Sequence, residues 1–185
     1  MDDSKKAVSM YAKEAGDLIY IVGRTHHELG GSHYYDLLGF TGNSVPRVNT
    51  RLARETFLRL SRASGAGLIK AMHDCSDGGL AVAAAEMAFA GGCGMELFLS
   101  EVPYTVKDKK SNDVILFSES NSRFMVEVNR RRQKQFERML RGVPFGLIGC
   151  VSGGSDFKVW GLDNKLCIAT DIAGLKEAWQ APLRW

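Results

Sequence analysis

Leu68-Ile69-Lys70-Ala71-Met72-His73-Asp74-Cys75-Ser76-Asp77-Gly78-Gly79-Leu80-Ala81-Val82 holds the decisive change of pattern in this chain. Leu68 to Met72 reads as a short strand running into a polar loop. Asp77-Gly78-Gly79 then closes the loop with residues that tolerate tight turns. From Leu80 to Ala90 the chain is alanine-rich and apolar nearly all round, which predicts a buried helix ended by Gly91-Gly92. Strand, polar loop and buried helix in succession predict one α/β domain.

Upstream, Leu18-Ile19-Tyr20-Ile21-Val22 is a continuous apolar run closed by Gly23, the pattern of a buried strand. Residues 24–46 read as a glycine-rich loop with one helical turn at Tyr34 to Leu38. Asn49 is a helix cap, and Leu52, Glu55 or Thr56, Phe57 and Leu60 follow at helical spacing. Gly65 and Gly67 stop that helix. Residues 1–15 read as a lead-in, and 16–185 as the domain.

Downstream, Met95 to Leu99 is a strand and Val102 to Asn112 a polar connection. Val114 to Phe117 is a short apolar run. In the strand Arg123 to Val128, alternation puts Phe124, Val126 and Val128 on one face and Arg123, Met125 and Glu127 on the other. Arg130 to Arg141 is a helix with Phe136, Met139 and Leu140 inward. Phe145 to Val151 is a strand. Phe157 to Trp160 and Leu166 to Ala169 pair across Asp163-Asn164, and Asp171 caps a last helix to Gln180.

The chain has 185 residues, 45% hydrophobic and 24% charged, with a net charge of +3. Those values fit a globular domain and exclude disorder and coiled coil as its main architecture. The charge is too small for a dedicated nucleic-acid binder. No apolar stretch is long enough for a membrane span, and MDDSKKAVSM has no apolar export signal. Cys75, Cys93, Cys150 and Cys167 have no zinc-ligand spacing, so reduced thiols in a cytoplasmic protein are the expectation.

Three loops hold the candidate chemistry. They are Leu29-Gly30-Gly31-Ser32, His73 to Gly79, and Ser118-Glu119-Ser120-Asn121-Ser122-Arg123. Glycines let backbone N–H groups approach an anion, and a helix N-terminus adds its dipole. Gly30, Gly31, Ser32, Ser76, Asp77, Gly78 and Gly79 are therefore candidates for one phosphate-binding cleft. Asp74 and Asp77 are read equally as carboxylates for a magnesium ion that bridges phosphates. Arg123 either forks onto a phosphate or carboxylate or pairs with Glu119. Plainer readings stand beside these: Gly30-Gly31-Ser32 as a turn, Asp77 as a helix cap, His73 as a structural histidine. The basic helix reads as a solvated face. Cys75 has no activating partner beyond His73.

Together these loops are more specific than any one. His73-Asp74-Cys75-Ser76-Asp77-Gly78-Gly79-Leu80-Ala81-Val82 with Glu86-Met87-Ala88, Leu29 to Tyr34, and Leu116 to Phe124 resemble the aminoimidazole ribonucleotide synthetase superfamily. Within it they resemble the second C-terminal domain of the phosphoribosylformylglycinamidine synthase large (synthetase) subunit. Leu175 to Trp185 looks like that subunit's end. The resemblance runs from about Lys6 onward.

It implies an α+β fold, a mixed sheet with helices on its faces, partly ferredoxin-like. It implies a role in ATP- and Mg2+-dependent conversion of formylglycinamide ribonucleotide to its amidine, with ammonia from glutamine, in purine biosynthesis. The other domains of the subunit, a glutaminase subunit and a small accessory subunit are the implied partners, with no nucleic acid and no membrane. The ATP and magnesium ligands of the family lie mainly on the absent N-terminal domain, so no catalytic residue and no tightly bound cofactor is expected on this chain alone.

The first-copy counterpart of Glu119-Ser120-Asn121 is a Glu-Ser-Gln that contacts substrate. Asn121 and Ser122 depart from that copy, so the loops line either the active site or its pseudo-symmetric counterpart. The competing class is a non-catalytic phosphate-binding or structural interaction module. The wording of residues 73–79 argues against relatives that handle thiamine, selenium or hydrogenase-maturation substrates.

Overall fold

A computed structural model describes residues 7–105 and 111–184. The polar start of the lead-in (1–6), residues 106–110 of the polar connection, and Trp185 lie outside the described residues. The strands are β1 (Leu18–Val22), β2 (Ala71–Asp74), β3 (Gly94–Phe98), β4 (Phe124–Val128), β5 (Phe145–Ser152), β6 (Asp156–Trp160) and β7 (Leu166–Asp171). The helices are α1 (His33–Leu37), α2 (Thr50–Gly65), α3 (Gly79–Gly91), α4 (Asn112–Phe117), α5 (Gln133–Met139) and α6 (Ile172–Gln180). The strands form one seven-stranded sheet in the order β2-β4-β1-β5-β3-β6-β7. Pairing is antiparallel except between β3 and β6. This is the mixed α+β fold that the resemblance implies.

β1 is buried at every residue because both faces of the sheet are covered. Leu18, Tyr20 and Val22 join Leu60 and Ala63 of α2 and Phe136 of α5 in one core. Ile19 and Ile21 join Leu80 and Met87 of α3 and Leu116 of α4 in the other. β4 obeys the same alternation, with Val126 and Val128 in the first core and Met125 in the second. α3 is apolar all round because it lies between the sheet, α4 and α6. The expected caps are present: Asn49 accepts from Leu52 N, and Asp171 from Gly174 N.

Four local expectations shift. β2 starts at Ala71 and runs on to Asp74, paired with Phe124. Leu68 and Ile69 are apolar because they seat the link under α2, where Leu68 N bonds to Ala63 O. The inward stripe of α2 is Ala53, Thr56, Leu60 and Ala63, which leaves Phe57 49% exposed. Val114 to Phe117 is helical within α4. Arg130 to Arg132 make a 3-10 turn before α5, with Phe136 and Leu140 buried as expected.

Residues 7–15 pack onto the body. Ser9 bridges Ala71, and Ala12 is buried with its N–H on Met87 O. Among the described residues, no helix is long and apolar enough to cross a membrane.

Candidate functional site

The segment between α4 and β4 stitches the three polar loops together. Ser118 Oγ accepts from Glu28 N at 3.3 Å, and Glu119 N donates to Glu28 O at 3.2 Å. Ser120 Oγ accepts from His26 N at 3.0 Å. Glu119 Oε1 accepts from Gly78 N at 2.9 Å and from His33 N at 3.3 Å. Gly78 and Gly79 adopt left-handed φ of 74° and 64°, which glycine takes without strain. That turn feeds the chain into α3 directly beside residues 116–118.

An open groove of about 530 Å³ lies against this junction. Asp74, Ser76, Asp77, Glu119, Asn121 and Arg123 border its polar side. Pro46, Val48, Phe57 and Phe124 make an apolar wall, with Phe57 and Phe124 edge-to-face at 5.6 Å. The wall was not foreseen in the loops. Phe57 reads from the sequence as part of the α2 stripe, and only the structure sets it outside the buried one.

The other candidates lie apart from the groove or serve the fold. Gly30 N donates to Ser44 O at 2.9 Å, Gly31 N to Thr41 O at 2.7 Å, and Ser32 N to Leu29 O at 3.1 Å. Ser32 Oγ caps α1 by accepting from Tyr35 N. Gly79 N donates to Ser76 O at 3.0 Å. The four glycine N–H groups of the two loops are thus engaged within the protein, at Ser44, Thr41, Glu119 and Ser76. Ser120 is buried and holds His26. Asp77 is no helix cap: Gly78 occupies that position, and Asp77 lies 3.6 Å from His33. His73 meets Glu86 at 2.7 Å.

Arg123 does not form the expected pair with Glu119. It is 1% exposed, and its guanidinium is spent on its own surroundings. Nε donates to Ser120 O at 3.0 Å, one Nη to Thr25 Oγ1 at 2.9 Å, and the other Nη to Ser118 O. Burial draws its pKa down, opposed by the nearby Cys75, Glu28 and Glu119. A planar fork suits this role because it ties a curved backbone from inside.

Burial pushes the Cys75 thiol up to about 11, so it stays protonated near neutrality and is a poor nucleophile. Among the described residues, no cluster of three or more His, Cys, Asp or Glu side chains is arranged to hold a metal ion. Asp74 and Asp77 offer carboxylates on the groove, but a cation there would need further donors from elsewhere.

The family model described as AIR synthase related protein, C-terminal domain, matches residues 14–161. Phosphoribosylformylglycinamidine synthase subunit PurL of Methanothrix thermoacetophila is 36% identical over the whole chain, which covers 23% of that protein. PurL of Thermococcus kodakarensis is 37% identical over 84% of the chain and 21% of its own length. The chain therefore spans about a quarter of the length of the curated relatives it matches. T. maritima PurL complexed with FGAR superposes with a TM-score of 0.82 at 19% identity, over 93% of this chain and 30% of that one. The T. maritima PurL–ATP complex (TM-score 0.75, 20% identity, 93% and 27% covered) and PurLQS (0.77, 20%, 93% and 28%) share the fold.

Proposed function

The chain belongs to the family of AIR synthase related proteins, as their C-terminal domain, and on that premise we propose that it is one wall of a nucleotide or substrate cleft in a phosphoribosylformylglycinamidine synthase. The intact enzyme would use ATP to activate the amide oxygen of formylglycinamide ribonucleotide and replace it with ammonia from glutamine. Its other synthetase domains, the glutaminase subunit and the accessory subunit complete the assembly, in the cytoplasm.

The observation that carries this reading is the one-sided groove. Asp74, Ser76, Asp77 and Asn121 present hydrogen-bonding groups on one side. On the other, Val48 and Phe57 stay about half exposed. Adjoining apolar surface of this kind marks a face that another domain covers. The glycine N–H groups beside the groove are engaged within the protein, so its polar side chains are read as the ligand contacts. ATP when bound supplies the leaving phosphate. This chain's share is to orient the ligand through Asp74 and Asn121 and, with its partner domain, to exclude water. Asp74 and Asp77 would lend carboxylates to a magnesium ion completed by that domain.

The test has two arms. Incubated alone with ATP, magnesium, ammonia and formylglycinamide ribonucleotide, the chain should release ADP no faster than a buffer blank. In the full-length synthetase, Asn121→Ala should lower turnover or nucleotide retention without shifting the melt. Turnover by the chain alone would overturn the incomplete-cleft reading. Unchanged kinetics and nucleotide content in Asn121→Ala would favour an interaction module.

A further inference from the structure

A file of hydrogen-bonding side chains runs from the last helix to the groove. Trp179 on α6 donates its Nε1–H to Glu86 Oε1 at 2.9 Å. The other oxygen of Glu86, on α3, meets His73 Nε2 at 2.7 Å. His73 Nδ1 lies 3.4 Å from Asp74 Oδ1, and Asp74 Oδ2 accepts from Ser76 Oγ at 3.0 Å. Asp74 and Ser76 border the groove.

We infer that Glu86 is a positioning residue that fixes the His73 ring against Asp74, and that Trp179 makes the seating of α6 a regulator of the groove. The regulatory part rests on the proposed reading of the groove as a ligand cleft.

The chemistry of the groups sets the order. An ionised carboxylate only accepts, so the Glu86 contact places a proton on His73 Nε2. With Nε2–H committed there, Nδ1 is the edge turned to Asp74, and by the same rule it bonds that carboxylate only when it carries a proton as well. His73 and Glu86 side chains are only 17% and 22% exposed, so water competes weakly for this pair. Trp179 occupies the second oxygen of Glu86 and restricts how that carboxylate turns.

α6 is suited to move. None of its residues is buried. Ile172 and Leu175 pack on the core in part, and the Trp179 ring lies 5.7 Å from Phe89. Among the described residues, the start of α6 is fastened through Gly174 N to Asp171 of β7 and through Ile172 N to Ser155 O, and its far end through Trp179 to Glu86. The Trp179 end of α6, half exposed, opens locally at low cost, without unfolding the sheet. Such opening removes the Trp179 donor, frees Glu86 to turn, and loosens His73 and Asp74.

The experiment reads the ligand-free chain by NMR. Trp179→Phe keeps a ring beside Phe89 and removes only the N–H. The His73 ring ¹⁵N resonances and the Asp74 and Ser76 amides should shift, while the melting temperature changes little. Glu86→Gln should move the same resonances further. The double variant should add nothing beyond Glu86→Gln, because Trp179 acts through Glu86. Shifts confined to α6 and α3, or effects that add, would overturn the inference. No ligand enters this measurement, so its failure is separate from failure of the cleft. MgATP binding by the full synthetase tests the latter.

Discussion

Glu119 Oε1 accepts the backbone N–H of Gly78 at 2.9 Å, across 41 residues of sequence. Gly78 caps the 13-residue helix α3 and has no side chain with which to do so. The borrowed carboxylate satisfies an orphan donor and sits at the positive end of the helix dipole. Through His33 N the same oxygen fastens the start of α1.

Glu119→Ala should therefore cost about 1–3 kcal/mol, the penalty of leaving a largely desolvated donor unpaired. Glu119→Gln, which keeps an acceptor oxygen, should recover part of it. Urea unfolding of the three proteins measures both. A normal melt in Glu119→Ala with weakened ligand binding would return Glu119 to the list of ligand contacts.

Arg123→Ala should destabilise more. It strips donors from Ser118 O, Ser120 O and Thr25 Oγ1 at once. Hydrogen bonds to charged groups are worth about 1.5–3 kcal/mol each, so a loss of about 3 kcal/mol or more is expected. Arg123→Lys should rescue little, since it keeps the charge and loses the fork. The check is thermal or urea unfolding. A large fall in ligand affinity with unchanged unfolding would show that the guanidinium reaches the groove.

The fold was legible where one periodicity acts alone. β1 reads as a continuous apolar run because both its faces are covered, and β4 by alternation because its two faces enter different cores. α3 is legible from its length and glycine stops. Leu68 and Ile69 misled because an apolar pair under a helix looks like the start of a strand. The loops were legible as a set, but their hydrogen bonds were not. Nothing local says that Gly31 N pairs with Thr41 O or that Glu119 reaches Gly78. A buried Arg123 is legible only after three acceptors have been folded around it.

Gly79→Ala tests how tightly α3 abuts residues 116–118. An added Cβ would lie 2.5 Å from Ser118 O and 2.8 Å from Leu116 O, at a φ of 64°. Both obstacles are backbone, so neither yields by a rotamer change, and the left-handed φ adds about 1 kcal/mol. The variant should lose several-fold more stability than Gly31→Ala, where a Cβ meets nothing within 4 Å despite a φ of 71°. Equal losses in the two variants, compared by denaturant midpoint, would show that φ alone decides.

Glu127 sets a pH dependence. It is fully buried on β4, and its carboxylate accepts from Lys13 N at 2.9 and 3.1 Å and from Glu14 N at 3.1 Å. Those bonds clasp residues 13 and 14 to the sheet. Burial pushes its pKa up, from 4.5 to about 7; the buried Asp17 adds to the rise, and the backbone donors oppose it. Asp17 is itself held by Lys70 and Asn129, and Lys70 also pairs with Glu14. Because the folded pKa is raised, the folded protein keeps a proton that the unfolded chain releases above about 4.5. Its contribution is fully present below that pH, is lost as pH rises through about 7, and then levels off. The slope approaches about 1.4 kcal/mol per pH unit for one proton. Glu127→Gln mimics the protonated form and should abolish this component. Wild-type stability relative to the variant, from urea unfolding at a series of pH values, should fall between those limits. A difference that rises with pH would show that the Lys13 and Glu14 donors outweigh burial and that the clasp holds the ionised carboxylate.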